Sequence, residues 1–322
     1  MLEPTRATRI LTQIDSRSWE HPADRATLNA LRRIPGFDEV LRALFGFFGE
    51  RAVRLAFLAN AVRTSPTQFA RVHRIYGEVA RTLDAPGDYP VYVTQDPTFN
   101  AAAYGMEKPF IVVHSALEER FDDEELRFIL AHELGHIMSG HVLYTTMMRL
   151  LTMLAGMGFP IVGLAARAVL VALLEWYRKA ELSCDRAGIL GVQDPEPGLR
   201  VMLKFAGGAS GDANLAEFIR QSDEYREEGA LADQVYKVLN VLGSTHPFPV
   251  IRVAEMRAWF ESGAYERIIA GEYHRRGEPD TPYREDLSQA AQAYREAAKQ
   301  TFGQAGDAAR RVVDSFRSGF GR

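Results

Sequence analysis

The 322-residue chain holds a single cysteine, Cys184, which excludes an intrachain disulfide framework and fits a reducing compartment. Positive charge is not in excess: 38 Lys and Arg against 42 Asp and Glu give a formal net charge of -4. With no basic run either, no nucleic-acid partner is expected. Residues 1–25 carry scattered charges and no apolar core, so no signal peptide is read there and a cytoplasmic location is expected. Also missing is an uninterrupted apolar run of the roughly 20 residues that a membrane-spanning helix needs. The most apolar stretch, residues 150–174, is broken by Gly156, Gly158, Pro160 and Gly163 and carries Arg167. It reads as two short helices or one broken helix, with apolar faces turned to the core, to a membrane surface or to a second copy of the chain. Repeats and low-complexity blocks are absent. What is present, 47% hydrophobic and 25% charged residues, is ordinary globular composition, with length for one large domain or two small ones.

One pentad carries chemistry: His132-Glu133-Leu134-Gly135-His136. On a helix, residues four apart share a face, so both imidazoles can aim at one point. Zinc takes such nitrogen donors, and its catalytic sites use three protein ligands. Glu133, beside the first histidine, is placed to act as general base toward a water. Leu126, Ile129 and Leu130 would bury the helix and hold the histidines still. The competing reading is a buried helix whose histidines bond only to backbone.

The pentad leaves a third ligand to be found. His141 fits poorly, because the HExxHxxGxxH pattern needs Gly and His where Ser139 and Val142 stand. Glu181 and Asp185 fit better, four apart in residues 176–190 (WYRKAELSCDRAGIL). A carboxylate from a second helix completes a His2Glu set, and the acid one turn on can accept the outer N–H of a ligand histidine. The competing reading is a solvated acid pair. Cys184 lies off the acids' face and reads as packing. His246, followed by Pro247, Pro249 and a run holding Arg252, reads as a loop entering a helix. It either donates a hydrogen bond to an oxyanion or caps a Pro-rich turn.

Around these motifs, residues 1–36 read as short surface helices. Residues 38–62 form a helical stripe that suits the core, a membrane surface or a partner, and 67–83 read as an amphipathic helix. Val91 and Val93, then 110–114 (FIVVH), read as strands with 100–104 between them. His73 reads as a partly exposed helix residue rather than a ligand, and His114 as structural. Acids at 122–125 sit in the first turn of the pentad helix, where its dipole favours them, and that helix is expected to run on to His141. Residues 206–232 read as a polar, Gly-rich interval, and 284–302 and 305–318 as terminal helices.

Four segments together resemble one family, the zinc endopeptidases that include the HtpX heat-shock membrane protease and the CAAX prenyl endopeptidase, within the gluzincins. They are LAHELGHI (130–137), ELSCD (181–185), STHPFPVIR (244–252) and NAAA (100–103), and the resemblance spans roughly residues 67–258. It implies that His132, His136 and Glu181 bind one zinc ion and that Glu133 is the general base. It implies Asp185 behind His132, His246 at the oxyanion, and Arg252 holding that group or the substrate backbone. The strand Asn100, Ala101, Ala102, Ala103 would pair with an extended peptide. Cys184 stands where such proteins usually carry Ala, and the clear membrane spans of some members have no counterpart beyond 150–174.

The expectation is a mainly α (α+β) protein, a zincin-like metalloprotease core with a small sheet beside the HExxH helix. Its expected parts are a helical segment 1–66, a peptidase domain 67–260 and a helical extension 261–322. The expected partner is a protein or peptide substrate, with membrane-surface contact and a homo-oligomer as further options. A zinc-binding scaffold with an occluded site and a membrane-associated quality-control protease are the competing functions.

Overall fold

A computed structural model describes residues 8–32, 58–105, 107–156, 164–209, 211–227 and 246–279, with isolated positions between 37 and 55. The chain divides into compact units Met1–Glu278 and Pro279–Arg322. The expected helices at 284–302 and 305–318 lie outside the described residues.

The first helix, α1 (Pro22–Leu31), starts where the Nδ1 of His21 accepts the Ala23 N–H at 3.1 Å and Pro22 fixes the opening turn. The segment before it is not a surface feature, contrary to the sequence reading. Leu11, Ile14 and Trp19 have no solvent exposure and join the main apolar core, because their apolar mass outweighs the polar residues around them.

Strand β1 (Ala61–Arg63) comes next, at the end of the stripe expected to be helical. It pairs antiparallel with β2 (Val91–Thr94), and a ladder to a neighbour overrides local helical spacing. Between them runs α2 (Ala70–Thr82). Strands β3 (Ala101–Tyr104) and β4 (Phe110–His114) complete a four-stranded sheet in the order β1-β2-β4-β3. Thus β3 is an edge strand. Its register with β4, together with the His114 N–H to Asn100 carbonyl bond at 3.0 Å, turns Asn100 and Ala102 inward. The alternation of a strand then leaves the N–H and C=O groups of Ala101 and Ala103 on the free edge.

After α3 (Ser115–Arg120) comes the pentad helix, α4 (Asp123–Met138). Asp122 and Glu125 form a reciprocal capping box at its start, each accepting the other's backbone N–H at 2.9 Å. The helix stops at Met138 rather than reaching His141. Gly140 takes a φ of +68°, a left-handed turn open to glycine, and His141 follows in the link to α5 (Val142–Gly156). The apolar stretch 150–174 accordingly ends α5 and begins α6 (Leu164–Val192), with 157–163 outside the described residues. Met147, Leu151, Leu173 and Trp176 of these helices pack with Leu31 of α1 in a second apolar cluster. No described helix is long and apolar enough to cross a membrane.

Helices α7 (Glu196–Gly207), α8 (Leu215–Glu227), α9 (Pro249–Glu261) and α10 (Ala264–Ala270) follow. The interval read as polar and Gly-rich therefore holds a helix, α8, which buries Phe218 in the main core. The protein is mainly helical with one small mixed sheet.

The contact that positions the site is between α4 and α6. A Cβ on Gly135 would lie 2.7 Å from the Ala187 Cβ, and one on Gly191 would lie 2.2 Å from the Ala131 Cβ. Glycine at these two positions lets the helices approach closely enough for side chains of α6 to reach the histidines of α4.

Candidate metal centre

Three side chains converge between α4 and α6. Glu181 Oε1 lies 3.2 Å from His136 Nε2, and Glu181 Oε2 lies 3.6 Å from His132 Nε2. All donor atoms of this trio fall within 4.8 Å of one another. A tetrahedral ion with bonds of about 2.0–2.1 Å separates its ligand atoms by about 3.3 Å, so the spacing fits a single metal ion. All three residues are buried.

The outer nitrogens are also engaged, by different means. His132 Nδ1 lies 3.1 Å from Asp185 Oδ1. Arg252 donates from Nε to Asp185 Oδ2 at 2.8 Å and from Nη2 to Asp185 Oδ1, while its Nη1 lies 3.3 Å from Glu181 Oε2. Arg252, expected beside the oxyanion or substrate backbone, instead spends its guanidinium on the two acids behind the ligand set. The reason is charge: two buried carboxylates need a buried cation. His136 Nδ1 meets His141 Nδ1 at 3.3 Å, and His141 Nε2 in turn lies 3.1 Å from Asp24 Oδ2 on α1.

Glu133 points to the sheet. The backbone N–H of Ala103 donates to its Oε2 at 2.7 Å, so the free edge of β3 borders the carboxylate. Thr146 of α5 accepts the Gly105 N–H at 3.2 Å and fastens the end of that strand. Arg149 of α5 stacks over the Tyr104 ring at 4.6 Å and donates to Tyr177 Oη at 3.4 Å. Tyr177 lies one turn before Glu181, stacks on the His136 ring and sits 3.0 Å from His246 Nε2.

Burial and charge set the protonation pattern. For His132 burial lowers the pKa, but Glu181 and Asp185 outweigh it and bring it up to about 9. For His136 burial dominates and brings it down to about 3. Burial works against ionising Glu181, yet His246, His132 and Arg252 hold that carboxyl well below its ordinary range. Glu133 goes the other way: burial raises it, only partly offset by His132, Arg149 and the Ala103 N–H. To hold a metal ion, His132 would have to give up the proton that these acids favour, and the neighbouring Glu133 carboxyl sits in an environment suited to proton exchange.

The structure brings His132, Glu133, His136, Glu181, Asp185, His246, Arg252 and the strand Ala101 to Ala103 to one place. Asn100 sits at the start of that strand and contributes its carbonyl to β4. Three further residues, Tyr177, Arg149 and Asp24, escaped the sequence reading, and His141, weighed there only as a third ligand, instead contacts the outer nitrogen of His136. Tyr177 was recoverable, being four residues before Glu181 on the same helix. The left-handed turn at Gly140 ends the helix and swings His141 back onto His136. Nothing in the sequence pointed to Asp24.

Fold and donor set define a class, the metallopeptidases. The chain belongs to peptidase family M48, whose family model matches residues 66–260. It is similar to a plastoglobule-localized chloroplastic metallopeptidase 48 of Arabidopsis thaliana, with 35% identity over 270 residues, 81% of this chain and 77% of that relative. Shorter matches join it to two proteins named protease HtpX homolog. One, from Caldanaerobacter subterraneus, is 35% identical over 89 residues, 27% of this chain and 29% of the relative. The other, from Helicobacter pylori, is 32% identical over 77 residues, 23% and 25% respectively. No solved structure matches the chain significantly.

Proposed function

We propose that the chain is a zinc-dependent endopeptidase with His132, His136 and Glu181 as metal ligands and Glu133 as general base. The observation that carries this reading is the convergence of both Nε2 atoms on Glu181, with Glu133 held beside them by the edge strand. Two imidazoles and a carboxylate are a donor set that zinc favours. Bound zinc supplies a Lewis acid that polarises the scissile carbonyl and acidifies an attacking water.

The protein's own groups do the rest. An extended peptide adds to the free edge of β3, using the N–H and C=O groups of Ala101 and Ala103. Its carbonyl takes the Ala103 N–H now bonded to Glu133, which frees that carboxylate to accept a proton from the attacking water. Glu133 then passes the proton to the leaving amine. His246, steadied by Tyr177, donates to the developing oxyanion. Arg252 and Asp185 keep Glu181 and His132 in place.

A second reading draws on burial: Glu133 is only 6% exposed and Glu181 2%, as in a site that stays closed until a partner opens it. One experiment separates the two. Cleavage of casein is compared for wild type and Glu133→Gln, with and without EDTA. Cleavage by the wild type alone, lost with EDTA and restored by zinc, is the expected result. Equal cleavage by Glu133→Gln removes Glu133 as the base. Zinc bound in both proteins with cleavage by neither supports the closed site.

A further inference from the structure

Asp24 belongs to α1, outside the residues that match the peptidase family, yet it is 1% exposed and ends a chain of contacts that begins at a metal ligand. We infer that Asp24 and His141 form a positioning relay that fixes the orientation of His136, so that the N-terminal segment completes the metal centre. The inference rests on the zinc reading above.

The protons close without conflict. With metal at His136 Nε2, the proton of that ring is on Nδ1. It points to His141 Nδ1 at 3.3 Å, which must then be a lone pair. The His141 proton is therefore on Nε2, and it points to Asp24 Oδ2 at 3.1 Å. Asp24 is an acceptor throughout: Trp176 Nε1–H donates to Oδ1 at 2.8 Å and Ser183 Oγ–H to Oδ2 at 2.6 Å. Ser183 in turn accepts the His21 N–H at 2.9 Å. Every donor has an acceptor, and His141 has one allowed tautomer.

Cys184 Sγ lies 3.7 Å from His141 Nδ1, and with His136 and His141 it makes a second trio of metal-ligating types. That trio is not a second ion site beside an occupied first one. A metal at His136 Nδ1 would require that imidazole to lose both protons, and the relay assigns one of them to the hydrogen bond.

Outer partners of this kind orient a ligand ring and hold its tautomer, and losing one lowers metal affinity about 10- to 100-fold. An Asn at position 24 cannot replace the carboxylate. With donors converging on both oxygens, its NH2 group meets either Trp176 Nε1–H or the His141 and Ser183 protons. The relay thus predicts weaker zinc binding for Asp24→Asn and for His141→Phe, which keeps the ring's volume.

The test measures zinc affinity of the full chain by competition with a chromophoric chelator, for wild type, Asp24→Asn, His141→Phe and Leu31→Ala. Leu31→Ala loosens the same helix without touching the relay. The expected result is an affinity loss of about 10-fold or more for the first two variants, and wild-type affinity with a lower Tm for Leu31→Ala. An affinity for Asp24→Asn within twofold of wild type overturns the relay, as does an equal loss for Leu31→Ala. If a variant does not fold, ¹⁵N NMR of the zinc-loaded wild type decides: His141 protonated at Nε2 alone supports the relay, and a proton at Nδ1 overturns it. A wild type that binds no zinc overturns the zinc reading itself and the relay with it.

Discussion

The two histidines proposed as metal ligands are one helical turn apart, yet their outer nitrogens are held in opposite ways. His132 meets a carboxylate directly, and that carboxylate, Asp185, is matched by the Arg252 guanidinium. His136 meets a second imidazole, His141, whose pKa the Asp24 carboxylate behind it raises against burial, and among the described residues Asp24 also accepts from two uncharged donors, Trp176 and Ser183. The first side places a full ion pair against the ligand set, close enough to influence its charge. The second places the charge one ring further out and works mainly through orientation. Sequence distance follows the same division: His132, Asp185 and Arg252 all fall within the family match at 66–260, whereas the second side reaches out of it to α1.

The largest effect should come from removing the close approach on which both sides depend. A Cβ at position 191 falls 2.2 Å from the Ala131 Cβ, one residue before His132, so Gly191→Leu must push α6 away from α4. Overpacking of a tight core typically costs about 1–3 kcal/mol, and here the displaced helix also carries Glu181 and Asp185. The expected outcome is a protein of lower Tm that retains no stoichiometric zinc after dialysis, read by atomic absorption. Full zinc occupancy in that variant would show that the helix contact is not what assembles the donors.

This contact also marks where sequence reading ends. The pentad and the acid pair were legible because each is local, an i, i+4 spacing on a helix, and the edge strand through the family resemblance of its NAAA segment. The ending of α4 at Met138 turned on Gly140 adopting a φ of +68°, a conformation glycine permits but does not announce. The β1 strand was hidden because its pairing partner lies some 30 residues on, in β2. Asp24 and Arg252 were harder still. A buried charge is intelligible only through its partners, and those partners lie on α6 together with the link before α5 for Asp24 and with α4 for Arg252, segments that meet only in the folded chain.

A one-sided effect, smaller on zinc occupancy, is expected from Arg252→Met. It leaves Asp185 and Glu181 buried without their cation, and breaking such a pair costs about 3–5 kcal/mol. The sign with pH is also fixed. Burial raises the Asp185 carboxyl, but Arg252 and His132 bring it below its ordinary 3.8. The stability it contributes is therefore complete above about pH 4 and is lost as pH falls through the folded-state value. Without Arg252 that value rises, so acid unfolding, followed by circular dichroism, should begin at higher pH than in the wild type. An unchanged acid transition would mean that Asp185 is held by His132 alone, making the two sides more alike than their contacts indicate.

The smallest effect concerns Glu133, which has neither kind of support: its carboxylate accepts a backbone N–H from Ala103, and its cation, Arg149, acts on it as a nearby charge. The Nη1 of Arg149 is buried with no hydrogen-bond acceptor among the described residues, so Arg149→Met relieves one unsatisfied donor while losing the 3.4 Å bond to Tyr177. Stability should change little. The carboxyl of Glu133, already raised by burial, loses a charge that was lowering it and rises further. A general base works only when ionised, so the acid limb of kcat/KM should move to higher pH while the zinc content stays at the wild-type level. An acid limb that stays in place would separate Arg149 from the base and leave it a role in holding Tyr177 against His246. A limb that moves would make the proposed base dependent on the charge of Arg149.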